Sequence, residues 1–133
     1  MEAIEPHIRD DQLPDSSVLV VRGGPITSEK LLEAAKREQA VYTWRGRPLA
    51  CISAEAVTGE WSLERLLAEH LGTRTTYATT TVGQVVDAGL ALLPTFAVPH
   101  YDVVLEDATP QEVARLMSIL SEPVRNQFRR KGR

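Results

Sequence analysis

The sequence predicts an α+β fold: a single domain with a mixed or antiparallel sheet of about five to six strands, flanked by three to four helices. Three observations lead there. Strand-like and helix-like stretches alternate along the chain without the regular spacing of repeated βαβ units. Gly23 and Gly24 follow the first strand-like run, but they are succeeded by Pro25. That pattern lacks the GxGxxG fingerprint of a doubly wound nucleotide fold, and proline removes an amide that a phosphate would use. Finally, 133 residues at 43% hydrophobic and 25% charged match an ordinary globular domain with one core.

Residues 1–16 carry Glu2, Glu5, Asp10, Asp11 and Asp15 with Pro6 and Pro14 and show no periodicity, so they read as an extended lead-in. The globular domain is expected over 17–122 and a basic tail over 123–133. Val18 to Val21 is a continuous apolar run bounded by Gly23, Gly24 and Pro25, which suits an interior strand covered on both faces. A helix then starts near Thr27 or Ser28, either of which can cap it, with Leu31, Leu32 and Ala35 as its apolar stripe. The runs 41–44 (VYTW) and 48–53 (PLACIS) flank Arg45-Gly46-Arg47, which reads as a hairpin. Leu63, Leu66, Leu67 and Leu71 mark a helix over 62–71. The Thr- and Tyr-rich run 75–80 reads as a strand, and Thr81 can cap a short helix Val82 to Ala88.

The densest apolar stretch is 90–105 (LALLPTFAVPHYDVVL). Pro94 and Pro99 cannot donate to a ladder, so Leu90 to Leu93 and His100 to Leu105 are two strands joined by the TFAVP corner. Strand alternation places His100, Asp102 and Val104 on one face and Tyr101, Val103 and Leu105 on the other. The last helix has Thr109 as cap, Pro110 at its first position and Glu112 three residues on, a reciprocal capping box. Its stripe is Val113, Leu116, Met117 and Leu120, and Pro123 ends it.

Net charge is −3, unevenly spread. Five of the 15 basic residues (Arg125, Arg129, Arg130, Lys131 and Arg133) lie in the last nine positions, leaving 10 basic against 18 acidic before them, a balance of −8. An acidic body does not attract nucleic acid, so contact with phosphate is expected only through the tail, with Arg45, Arg47 and Arg74 as further candidates. No apolar run approaches the roughly 18 residues that span a bilayer, and the start of the chain is acidic where a secretory leader is basic and then apolar. The expectation is a soluble, cytoplasmic protein without membrane contact.

Candidate chemistry is sparse. His7, His70 and His100 are far apart and only His100 has a neighbour, Asp102, at ligand spacing, so no metal site is expected. The single cysteine, Cys51, sits in an apolar run and reads as a buried, inert thiol; nothing places it at a helix start that would activate it. No GxSxG turn holds a serine nucleophile. The remaining constellation is Arg22 before Gly23 at the end of the first strand, Ser53 on a later apolar strand, and the triplet His100-Tyr101-Asp102 opening another.

In that order these residues resemble the ADP-ribosyltransferase superfamily. The resemblance implies that Arg22 and Gly23 hold a nicotinamide dinucleotide (NAD), that Ser53 supports its nicotinamide ribose, and that the carboxylate of Asp102 stabilises the developing oxocarbenium ion. His100 then stands where a target-orienting Glu or Gln is usual. Ile52-Ser53-Ala54 replaces the usual Ser-Thr-Ser, and Asp102 is one methylene shorter than the usual Glu. Each residue also has a purely structural reading: Arg22 as a strand-end cation, Ser53 as a turn residue, His100 as a half-buried imidazole bonded to backbone or to Asp102. Tyr101 and Trp44 read as core, and Trp61 as a staple on the helix after it.

Three functions therefore stand side by side. One is a partner-binding protein of the toxin and antitoxin or defence-associated kind, forming a protein complex or homo-oligomer through the tail with Phe128. A second is an ADP-ribosyltransferase-like enzyme that uses NAD at Arg22, Ser53, His100 and Asp102. The third is a nucleic-acid-binding domain.

Overall fold

Leu19, Val20 and Val21 are completely buried, which is what a continuous apolar strand requires of its surroundings. In the computed structural model, which describes residues 4–23, 26–71 and 75–127, that strand is β1 (Val18–Gly23), near the middle of an antiparallel sheet. The side chains of Arg22 and Gly23, Arg74 and the tail from Phe128 onward lie outside the described residues. The remaining elements are α1 (Ser28–Val41), β2 (Thr43–Trp44), β3 (Arg47–Pro48), β4 (Cys51–Ala56), α2 (Leu63–Arg65) with a π-helical turn Leu66–His70, β5 (Thr76–Thr81), α3 (Val82–Asp87), β6 (Ala91–Leu93), β7 (His100–Val104), α4 (Pro110–Met117) and β8 (Val124–Arg125). Six strands pair in the order β6-β7-β4-β1-β5-β8, every neighbour antiparallel, and β2-β3 forms a separate ribbon. The fold is α+β, as the sequence predicts.

Helices cover one face of the sheet. Leu31 and Ala35 of α1, Val82 and Val85 of α3, and Val113 and Leu116 of α4 close over Leu19 and Val21, Ile52, Ala54 and Ala56, Ala78, and Tyr101 and Val103. Alanines at the centre of that face let the helices approach the backbone closely. The opposite face carries two smaller apolar patches. Val20 lies under Leu66, Leu67 and Leu71 at one side. At the other, Leu49, Cys51 and Leu93 pack together, with Ile8, Tyr42, Trp44 and Val104 against them. The polar members of β4 and β7 fall between these patches.

Helix starts at Thr27, Thr81 and Thr109 follow the caps read from sequence, and Ser62 caps α2 as well. Thr27, Ser62, Thr81 and Thr109 accept from the amides of Lys30, Arg65, Gln84 and Glu112 at 3.2 Å in each case. The capping box at α4 is only half formed, because the Glu112 carboxylate accepts from the Glu106 N–H at 2.9 Å instead of turning back to Thr109. The hairpin is also smaller than expected. Arg45 (φ 53°) and Gly46 (φ 78°) form a two-residue turn with both φ positive, and β2 pairs with β3 alone. Val41 ends α1, and the apolar run beginning at Cys51 joins β1 and β7 as β4. The expected helix over 62–71 is α-helical only for Leu63–Arg65 and then widens, the Leu71 N–H bonding to the Leu66 carbonyl at 2.9 Å. α4 stops at Met117, well before Pro123, and β8 pairs Val124 with Tyr77 and Arg125 with Thr76.

Candidate functional site

β4 and β7 run antiparallel with Ser53 directly opposite Asp102 and Glu55 directly opposite His100. Side chains at such positions share a face and lie about 5 Å apart at Cβ. The alternation read from sequence therefore holds: Tyr101 and Val103 enter the helix-covered core, while His100, Asp102 and Val104 face the other way.

Asp102 is 4% exposed, and both its oxygens accept hydroxyl bonds. Ser53 Oγ donates to Oδ1 at 3.4 Å and Thr95 Oγ1 donates to Oδ2 at 2.7 Å. Thr95, fully buried, also contacts His100 Nδ1 through its Oγ1 at 3.0 Å and its carbonyl at 3.2 Å. This network is satisfied with a hydrogen assigned to Nδ1 of His100, because the Thr95 hydroxyl gives its one proton to Asp102 and its carbonyl has none to give. In the neutral ring Nε2 is then the open proton acceptor. Ser53, Asp102 and His100 thus belong to one bonded group, with Thr95 at its centre.

The corner bearing Thr95 is clamped by the amino-terminal stretch. The Arg9 N–H bonds to the Pro94 carbonyl at 2.7 Å and the Phe96 N–H to the His7 carbonyl at 2.9 Å. The Arg9 guanidinium donates to the Thr95 carbonyl at 2.7 Å and the His100 carbonyl at 3.1 Å, while its Nε pairs with Asp11 at 2.7 Å. Asp11 in turn accepts from the Tyr101 hydroxyl. The bond from Arg9 holds the Asp11 carboxyl below its ordinary value against the opposing effect of burial, with the Tyr101 hydroxyl helping. Burial, followed by the bond to Asp11, raises the Tyr101 phenol, which stays protonated. Phe96 has a positive φ of 59°, and its ring centre lies 5.4 Å from that of His100.

Two residues along β4 from Ser53, Glu55 is 2% exposed, and its Oε2 lies 3.7 Å from His70 Nδ1. Trp61 meets that imidazole edge-on at 4.4 Å and carries Arg65 over its ring at 3.9 Å, so it packs on the following helix as read. Tyr101 is core apart from its hydroxyl, whereas Trp44 is half-buried with the Arg45 guanidinium 4.4 Å from its ring centre.

Cys51 is 1% exposed and faces the same side as Asp102. Burial first, then the charge of Asp102, pushes its thiol pKa far up, so it is no nucleophile. Among the described residues no group of three or more His, Cys, Asp or Glu side chains could hold a metal ion, and no helix is long and apolar enough to cross a membrane. The backbone of Arg22 lies in β1, one residue beyond the Val21–Ala54 pair and so level with Ser53; the roles read for the Arg22 and Gly23 side chains fall outside the described residues.

Thr95, Arg9, Glu55 and His70 are absent from the constellation read by sequence. A carboxylate two residues from Ser53 on an apolar strand was the available signal for Glu55. Thr95 and Arg9 had none, because their partners are fixed by contacts across the fold. No protein-family model, curated protein or solved structure matches the chain, so the functional reading rests on this chemistry.

Proposed function

We propose that the chain is an ADP-ribosyltransferase-like enzyme whose centre is Ser53, Asp102 and His100, with NAD as the donor held by Arg22 and Gly23. The observation that carries this reading is the Ser53–Asp102 bond, joining two side chains 49 positions apart that face each other across adjacent strands. A carboxylate tied by hydroxyls on both oxygens has a fixed direction. In nearly dry surroundings it attracts a developing positive charge more strongly than water-exposed carboxylate does.

The reaction breaks the glycosidic C–N bond of the donor, and the electron pair leaves with nicotinamide. Asp102 stabilises the positive charge that grows on the sugar carbon, and Ser53 orients the carboxylate and the ribose. An oxygen or nitrogen of the acceptor bonds to that carbon, and its proton passes to Nε2 of His100. Replacing Asp102 with Asn keeps the hydrogen-bonding shape and removes the charge, so nicotinamide release should fall by about 100-fold or more. Arg22→Ala should abolish the heat of donor binding in calorimetry. A wild-type protein that gives no heat with millimolar NAD and releases no nicotinamide overturns the proposal.

A further inference from the structure

The transferase reading needs His100 with a free Nε2, yet an isolated neutral histidine favours a proton on Nε2. Something in the fold must reverse that preference. Three observations meet at Thr95. Its side chain is fully buried between His100 and Asp102. Its hydroxyl donates to Asp102 at 2.7 Å, so only lone pairs remain towards His100 Nδ1 at 3.0 Å. Its own carbonyl, a second acceptor 3.2 Å from the same nitrogen, is locked by Arg9 Nη1 at 2.7 Å.

We propose that Thr95 is a positioning residue that holds His100 in the Nδ1–H form and couples its orientation to the carboxylate of Asp102. This rests on the transferase reading for its catalytic meaning. Thr95 does not touch the reacting atoms; it acts through its two partners. The Arg9 clamp makes the arrangement rigid, because the guanidinium also binds the carbonyl of His100 itself at 3.1 Å. A hydroxyl whose proton is committed to an anion can only accept from the imidazole, and a methyl in its place supplies neither acceptor nor donor.

The test compares Thr95→Val, which keeps the shape, with Thr95→Ser, which keeps the hydroxyl. Nitrogen NMR of the imidazole, with the His100 signals assigned by their loss in His100→Gln, should show the neutral Nδ1–H form in the wild type and in Thr95→Ser. Thr95→Val loses the 3.0 Å hydroxyl acceptor and keeps the backbone carbonyl, so the Nε2–H share of the ring should rise measurably above the wild-type level. In the activity arm Thr95→Val should lower kcat for nicotinamide release on transfer of the ADP-ribosyl group by about tenfold or more with KM for NAD little changed, since proton acceptance is weakened and donor binding is not. Thr95→Ser should restore it to within about threefold. An Nδ1–H share in Thr95→Val equal to that of the wild type overturns the positioning role of the hydroxyl even if the enzyme is active. The expected tautomer change in a wild-type protein that releases no nicotinamide supports the coupling and overturns the transferase reading alone.

Discussion

The thiol of Cys51, a lone cysteine within an apolar run, is 1% exposed. Burial and the nearby Asp102 charge both oppose thiolate formation, so the native protein should resist alkylation at pH 8 and react stoichiometrically only after unfolding. Rapid labelling of the folded chain, followed by mass spectrometry, would contradict the placement. His100 and Asp102 are readable in the sequence, since a spacing of two on a strand puts both on one face. Thr95 is not. It is separated from Asp102 by seven residues around a corner whose path depends on Arg9, 86 positions upstream of it.

At the scale of elements, β1, α1 and α4 are legible because their signals are local: an unbroken apolar run, threonine caps, a proline at the first helical position. The hairpin, which forms over fewer residues than read, and the helix over 62–71, which widens into a π-helical turn, depart from the reading for the opposite reason. β4 is drawn away from β2 by the stronger burial available between β1 and β7, and the widened turn exists only where Leu66, Leu67 and Leu71 reach Val20. The amino-terminal stretch gains its role from contacts no periodicity encodes. Its ion pair gives a pH dependence. Asp11 has a folded-state pKa below its ordinary value of 3.8, so the clamp contributes stability above that value and loses it as pH falls through the folded pKa. The carboxylate is 38% exposed, so the effect should stay below about 1 kcal/mol. The protection of the Arg9 and Phe96 amides, whose N–H groups bond across the clamp, measured against the intrinsic exchange rate at each pH, should therefore fall on acidification below pH 3.8. Asp11→Asn should remove that step; the same acid response in both proteins would show that Asp11 is not its source.

At the scale of the whole molecule, one sheet face is sealed by helices and the other holds a polar row between two apolar patches. The patch of Leu66, Leu67 and Leu71 over Val20 depends on β8 and Asn126, in a stretch that composition alone presents as a charged tail beginning after Glu122. β8 pairs with β5, and Asn126 is 2% exposed beneath the π-helical turn. Its Nδ2 donates to the carbonyls of Leu67 at 3.2 Å and Leu71 at 2.9 Å, 59 and 55 positions away in the chain. A widened turn leaves carbonyls that its own ladder does not satisfy, and burial makes their neglect expensive. Asn126→Ala should therefore lower unfolding stability by about 1–3 kcal/mol, as two buried carbonyls lose a donor together. Denaturant titration should show an earlier midpoint with the slope preserved, because the same surface is exposed on unfolding. Asn126→Asp tests the chemistry rather than the volume: it matches the amide in size but offers oxygen where a donor is needed, and it should destabilise at least as much as alanine. Wild-type stability in either variant would mean that the chain end does not hold this patch together.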